Sequence, residues 1–186
     1  MNLRLLELIL KFHGGQVREG NREDGKPDPQ VEHLFRVMHR LLSPLPHYPE
    51  SLQVVRMNVL PLVTDVALAH DLLEDTEVTP EQLAEVIHPY AMDAVVALTR
   101  PADDSLTYAE YIEQQVLPNP IASLVKLGDI EDNIEHAKES LRMRYSKAKQ
   151  TIMNHWNAVV FPTADTEAVN ESLGDEKPLI ITDPKG

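Results

Sequence analysis

One short segment, from Ala69 to Thr76, constrains the fold of this chain more than any other feature of its sequence. It places His70 and Asp71 side by side in an apolar helical setting, and Glu74 and Asp75 follow one turn later. At the buried edge of a helix, an imidazole and a carboxylate each need a polar partner. A divalent metal ion satisfies both at once, so the segment predicts a helical fold that closes around a metal site.

The spacing within this segment is typical of a hydrolase. Glu74 lies four residues after His70 on the same helix face, where its carboxylate could act on a metal-bound water. Neutral imidazole and carboxylate oxygen are ligands shared by zinc, manganese and iron. The chain contains no cysteine, which excludes disulfides and thiolate ligands. Any metal must therefore be held by nitrogen and oxygen.

Two further candidate ligands lie on other predicted helices. His33 is in the segment 31–38, whose apolar residues recur at positions i, i+3, i+4 and i+7. Asp129 ends the largely apolar run 123–128, and Asn133 follows it by one turn. The candidate ligands therefore come in the order H, then HD, then D.

This order resembles the HD-domain metal-dependent phosphohydrolases, and within them the hydrolase domain of the RelA/SpoT-type alarmone enzymes. The likeness covers roughly residues 3–155. The stretches that carry it are His13-Gly14-Gly15-Gln16-Val17-Arg18, similar to H-x-G-Q-x-R; His33; His70-Asp71-Leu72-Leu73-Glu74-Asp75-Thr76, similar to H-D-x-x-E-D-T; and Lys126-Leu127-Gly128-Asp129 with Asn133, similar to K-L-A-D and its following Asn. The chain departs from the family at Leu34, where Pro is common, and at Gly128, where Ala is usual. Neither departure removes a ligand.

The resemblance implies roles for these residues. The metal ligands that it implies are His33, His70, Asp71 and Asp129. Glu74 and Asp75 would orient and deprotonate the attacking water. The implied reaction is hydrolysis of the 3′-pyrophosphate of a guanosine tetra- or pentaphosphate. One manganese ion is the first choice of cofactor, and zinc, iron, cobalt or nickel are the others.

Phosphate hydrolysis also needs positive charge opposite the metal, and the sequence offers several candidates. Arg18 suits bidentate phosphate contacts or stacking on a base, and Lys126 could bind oxyanions; both could instead be plain surface cations. Asn133 could hydrogen-bond the substrate or a nearby water. Arg144 lies in a basic, aromatic patch that could contact phosphates or ribose, and could equally be a solvated helix face.

Helical patterns broken by Pro and Gly run along nearly the whole chain, which predicts an all-α helical bundle of the HD type. The predicted helices are 3–14, 29–42, 50–73, 79–87, 89–99, 107–115, 120–137 and 141–158. Residues 14–28 are predicted to form a loop, as is the Pro-rich stretch 43–49. We expect one domain over 1–160 and an extended or disordered tail over 161–186. No synthetase domain can fit in the remaining chain, so the expected protein is a stand-alone hydrolase.

The formal net charge of −13 argues against a surface that binds nucleic acid broadly, because such binding depends on Lys and Arg neutralising phosphates. A small phosphorylated nucleotide in one basic pocket is compatible with this charge. The N-terminal segment 1–11 is too short and too charged to span a bilayer, so no membrane association is expected. These features predict a cytoplasmic enzyme and leave open whether it forms a homo-oligomer.

Two other functions stay open from the sequence. The same metal site could cleave another nucleotide, such as a deoxynucleotide or a nicotinamide cofactor phosphate, because HD domains share chemistry and differ in their pockets. Alternatively, the chain could be a metal-bound regulatory module without catalysis. The acids Glu74 and Asp75 argue against the module, since it would have no need for them.

Overall fold

The computed structural model describes residues 2–21, 26–43, 47–101, 103 and 105–159, apart from the side chains of residues 19–21. Within these ranges the regular structure is helical except for one short hairpin, which confirms the predicted all-α class. The predicted tail, 161–186, and residues 44–46 of the Pro-rich stretch lie outside the described residues.

The described residues form a series of helices that is interrupted by one hairpin. In order they are α1 (Leu3–His13), β1 (Val17–Asn21), β2 (Pro27–Pro29), α2 (Gln30–Leu42), α3 (Glu50–Asn58), α4 (Leu60–Ala69), α5 (Leu72–Asp75), α6 (Pro80–Ala84), α7 (Pro89–Leu98), α8 (Tyr108–Tyr111), a π-helical turn (Ile112–Val116), α9 (Pro120–His136) and α10 (Glu139–Ala158). A capping box begins α6, because the Thr79 side chain accepts from the Gln82 amide and the Gln82 side chain accepts from the Thr79 amide.

Helices α4 and α9 form the centre of the bundle. α4 is apolar over most of its surface, and Val66, Ala67 and Leu68 are fully buried. α9 buries nearly every residue from Ile121 to Asp132. Such helices must be surrounded by others, and α2 and α7 each pack against both of them. The C-terminal end of α4 and the middles of α2 and α9 therefore meet inside the bundle.

The single helix predicted over 50–73 is wrong. The structure interrupts it at Val59 and again at the turn that contains His70 and Asp71. Pro61 explains the first break, because it has no N–H to continue the helical ladder from α3 and is tolerated only in the first turn of α4. Among the described residues, no single helix is long and apolar enough to cross a membrane; the segments on either side of this break, which bend by 96°, meet the length and composition criteria only together.

The loop predicted over 14–28 is also wrong in part. Strands β1 and β2 pair as an antiparallel hairpin, with Val17 opposite Pro29 and an irregular register between Val17 and Asn21. Just beyond the pair, the Gln30 amide donates to the Gln16 carbonyl at 3.0 Å. β2 is short and has Pro at both ends, so it shows no alternation of apolar and polar residues that a sequence pattern could reveal. The hairpin becomes one wall of the site described below.

Gly128 allows α9 to pack closely on α2. A Cβ atom at this position would lie 3.3 Å from Leu41 Cδ2 and 3.5 Å from Val37 Cγ1, so we expect Gly128→Val to overpack the core by about 1–3 kcal/mol. Thermal melting should show a decrease in Tm of roughly 2–12 °C. The control is Gly15→Val, because no atom lies within 4 Å of a Cβ at Gly15. An equal loss in the two variants would contradict the packing role of Gly128.

Candidate metal centre and active site

His70 and Asp71 occupy the turn that joins α4 to α5. The His70 ring is 2% exposed, and its Nδ1 donates to the Ala67 carbonyl at 2.8 Å. That bond fixes the ring and leaves Nε2 directed toward the acids, 3.1 Å from Asp71 Oδ1. Because the helix ends here, neighbouring side chains that would diverge along a regular helix come together.

His33 approaches from α2 and is fully buried. Its Nδ1 donates to Asp132 Oδ2 at 2.8 Å. Its Nε2 lies 3.3 Å from Asp129 Oδ1 and 3.6 Å from Asp71 Oδ2. The imidazole therefore uses one nitrogen to hold its orientation and presents the other to the same carboxylates that His70 faces.

The geometry of four side chains, those of His33, His70, Asp71 and Asp129, fits a divalent cation. Among the described residues, the Nε2 atoms of His33 and His70 are buried without a hydrogen bond, although carboxylate oxygens lie close to both. His33, His70 and Asp71 each offer a ligand atom within 4.8 Å of the others, and Asp129 Oδ1 lies 3.7 Å from His70 Nε2. Two ligands that share an ion at about 2.1 Å lie roughly 3.0–3.4 Å apart. The distances of 3.1–3.7 Å between the imidazole Nε2 atoms and the carboxylate oxygens are close to this range. The cluster could hold a divalent metal through nitrogen and oxygen.

Charge in the cluster also favours a cation. Burial lowers the pKa of His70, but the carboxylates of Asp71 and Asp129 outweigh burial and raise it to about 9. Burial raises the pKa of Asp129, but Lys126 and the two imidazoles outweigh burial and hold it well below its usual range. Asp129 is thus ionised and attracts positive charge.

Asp129 is held by two neighbours on its own helix. Lys126 Nζ donates to Oδ2 at 2.8 Å, and Asn133 Nδ2 donates to Oδ1 at 2.6 Å. Asn133 in turn accepts a short hydrogen bond from Arg18. Lys126, Asn133 and Arg18 were predicted to contact substrate; the structure joins them to a candidate ligand, and their contact with substrate stays a prediction.

Glu74 and Asp75 lie on α5, one turn beyond His70, and both are exposed enough to meet solvent. Glu74 Oε2 accepts the Arg100 backbone N–H at 3.2 Å. Partial burial raises the pKa of each acid, and the Asp71 charge adds to the rise. Such a shift moves a carboxyl group toward the range that suits a base at neutral pH.

The two acids line different cavities. Asp75 lines a cavity of about 440 Å³ together with Gln16, Val17, Arg18 and Gln30. Glu74 lines a cavity of about 820 Å³ between α5 and α7, whose other walls include Arg100 and Gln115. Glu74 and Asp75 therefore lie between the two cavities, and each faces a different one.

The hairpin places the predicted H-x-G-Q-x-R segment beside the acids. The fully buried His13 donates from Nδ1 to Gln16 Oε1 at 2.6 Å, and Gln16 Nε2 donates to the Asp75 carbonyl at 3.1 Å. Next to the hairpin, Gln30 Nε2 donates to Asp71 Oδ2 at 2.5 Å. Sequence reasoning missed Gln30, because a Gln at the start of a helix has no motif that marks it.

Arg144 lies in an aromatic cluster near α9. Its guanidinium carbon is 4.9 Å from the ring centre of Tyr108 and 5.7 Å from that of Tyr145, distances at which a cation is attracted to a ring face. The buried Tyr108 hydroxyl has no hydrogen-bond partner. The predicted phosphate contact of Arg144 stays a prediction.

A solved structure shares this fold. It is described as a metazoan ortholog of SpoT that hydrolyzes ppGpp and plays a role in starvation responses. The TM-score is 0.57 at 20% sequence identity, and the match covers 91% of this chain and 90% of the other. No protein-family model matches the chain, and no curated protein matches it significantly. The structural match confirms the helical fold that the resemblance implies.

Proposed function

We propose that this chain is a metal-dependent phosphohydrolase that acts on a nucleotide, and that its substrate is a guanosine tetra- or pentaphosphate from which it removes the 3′-pyrophosphate. The similar solved structure is a ppGpp hydrolase of the same fold, and the match spans nine-tenths of both chains. The motif resemblance, with its H, HD and D order, points to the same reaction.

The observation that carries the proposal is the pair of buried imidazoles. In the part of the chain that the structure describes, the Nε2 atoms of His33 and His70 have no hydrogen-bond partner, and both face the carboxylates of Asp71 and Asp129. Leaving two buried ring nitrogens without partners costs free energy in a purely structural core. A metal ion removes that cost, and we propose Mn²⁺ as the ion.

When bound at these four residues, a divalent ion would polarise a phosphoryl oxygen and lower the pKa of water. In this proposal Glu74 accepts the proton from the attacking water and Asp75 helps to orient that water. Arg18 offers a guanidinium at the wall of the smaller cavity, where it can bind a phosphate or stack on the base. Lys126 keeps Asp129 ionised and in place.

A nucleotide panel tests the proposed reaction. The purified protein is incubated with Mn²⁺ and with guanosine tetraphosphate, deoxynucleoside phosphates or nicotinamide cofactor phosphates, and phosphate and pyrophosphate are detected separately. We expect pyrophosphate from guanosine tetraphosphate. Release of phosphate from another nucleotide would support a metal-dependent phosphohydrolase and contradict the proposed substrate. The absence of turnover with every nucleotide would overturn the enzyme assignment.

Arg18→Ala should raise KM for the nucleotide by about 10–100-fold, because a charge-assisted contact contributes about 1.5–3 kcal/mol. The value of kcat should change little, since the guanidinium binds substrate and does not activate water. Steady-state kinetics measure both constants, and Arg4→Ala, at an exposed position of α1, is the matched control. A fall in kcat at constant KM would instead assign Arg18 to the support of Asp129 through Asn133.

A further inference from the structure

We propose that Asp132 is a positioning residue that orients His33 for metal binding, so that the metal affinity of the site depends on a residue outside the predicted ligand set. This inference rests on the metal centre of the proposed function. It starts from the buried hydrogen bond between His33 Nδ1 and Asp132 Oδ2, 2.8 Å long.

The bond determines which nitrogen of His33 can bind a metal. A carboxylate only accepts hydrogen bonds, so Nδ1 must carry a proton, and in the neutral imidazole the lone pair is then on Nε2. Nε2 is the atom that faces Asp129 and Asp71. Asp132 is fully buried, so no water competes for the bond. In metalloproteins, a carboxylate in this position fixes the ring orientation and increases the basicity of the ligand.

The two imidazoles are oriented by different means. His70 Nδ1 donates to the Ala67 carbonyl, one turn back on its own helix, so its orientation follows from the local fold. The His33 Nδ1 acceptor is instead a side chain on α9, that of Asp132. The orientation of His33 therefore depends on one side chain from a distant part of the sequence.

Asp132 is itself held rigidly by Arg36. The Arg36 Nε atom donates to Asp132 Oδ1 at 2.9 Å and to Oδ2 at 3.1 Å, and a terminal nitrogen donates to Oδ2 at 3.0 Å. The terminal nitrogens also donate to Asp28 on β2, at 2.9 and 3.0 Å. Arg40 adds a longer contact of 3.5 Å to Asp132. The arginines thus compensate the charge of the Asp132 carboxylate and fix its position beside the imidazole.

The arginines do not by themselves explain Asp132. Arg36 already has a bidentate partner in Asp28, and Arg40 has Glu135, 2.6 Å away. Arg18 Nη1 lies 3.5 Å from Asp132 Oδ2, but Arg18 also donates to Asn133 and lies 3.6 Å from Asp28. His33 Nδ1 has Asp132 as its hydrogen-bond partner. Asp132 thus accepts a hydrogen bond from the imidazole in addition to those from the guanidinium groups.

The test measures binding of Co²⁺ and Mn²⁺ alone to the full chain by titration calorimetry, together with the visible spectrum of the Co²⁺ form. Asp132→Asn should weaken metal binding by about 10–100-fold and change the Co²⁺ spectrum. Glu135→Gln is the matched control, because Glu135 lies on the same helix and pairs with Arg40 without touching His33. It should bind both metals as the parent does. Melting of the metal-free variants checks the fold.

Parental affinity in Asp132→Asn, or an equal loss in Glu135→Gln, would overturn this inference and leave the metal centre intact. Failure of the parent to bind either metal would overturn the metal centre and the inference together. If Asp132→Asn does not fold, Asp132→Glu keeps the charge that Arg36 requires and displaces the carboxylate by one methylene. A tenfold or larger loss in that variant supports the positioning role, and parental affinity contradicts it.

Discussion

Replacing Glu74 with Gln is expected to lower kcat by about 10²–10⁴-fold, the usual loss when a general base is removed. KM should be nearly unchanged, because the carboxylate acts on water and not on the bound nucleotide. The fold should survive, since the amide oxygen of Gln can still accept the Arg100 backbone N–H that Glu74 accepts at 3.2 Å. Turnover, metal content and Tm are measured on one preparation. Glu77→Gln, at an exposed position just after α5, is the matched control.

The pH profile gives Glu74 a second signature. Burial raises the pKa of Glu74, and the charges of Asp71 and Asp75 add to the rise. A base must be deprotonated, so kcat of the parent should fall as the pH decreases through this raised pKa, at a higher pH than for an ordinary Glu. Glu74→Gln should lack that limb. Full activity in the variant would refute the mechanism, and loss of metal would make Glu74 a ligand and transfer the base role to Asp75.

The helical class and the candidate ligands could be predicted from the sequence because both depend on local patterns. A helix buries one stripe at a period that a single sequence shows, and the ionisable residues that interrupt the stripe are conspicuous. His33, His70 and Asp129 were identified in this way, and the structure brings all three within 4 Å of a neighbouring ligand atom.

Asp132 could not be predicted from local patterns. Its partners His33 and Arg36 lie about a hundred positions earlier in the chain, and only the packing of α9 on α2 joins them. In the sequence, Asp132 is one more acid in a run that includes Glu131 and Glu135. Its neighbour Asn133 stands out by contrast, because it follows Asp129 by one turn and matches a motif.

The hairpin and the break before α5 were missed for a related reason. β1 and β2 are stabilised by pairing with each other, and neither strand has a hydrophobic face that a pattern could detect. His70 and Asp71 have ordinary right-handed backbone angles, so nothing in the local residues marks the end of α4 there. The turn is evident only in the folded chain, where it allows the side chains of both His70 and Asp71 to face His33.

Replacing His70 with Ala is expected to remove the metal and, with it, the activity. In the proposed metal centre His70 is one of two nitrogen ligands. The loss of metal affinity should therefore exceed the roughly 10–100-fold that follows when a residue that only supports a ligand is removed. The ring makes one hydrogen bond to protein, to the Ala67 carbonyl, so the variant should fold. Metal content per chain, by elemental analysis after dialysis against Mn²⁺, should fall from about one ion to none.

His39→Ala provides the control for this experiment. His39 lies on α2 six residues after His33, is exposed, and is not part of the metal cluster. The control variant should keep both metal and turnover, which separates loss of a ligand from loss of any histidine. If His70→Ala retains stoichiometric metal while folded, the cluster of His33, His70, Asp71 and Asp129 is not the metal centre. The buried, unpartnered Nε2 atoms would then need another explanation.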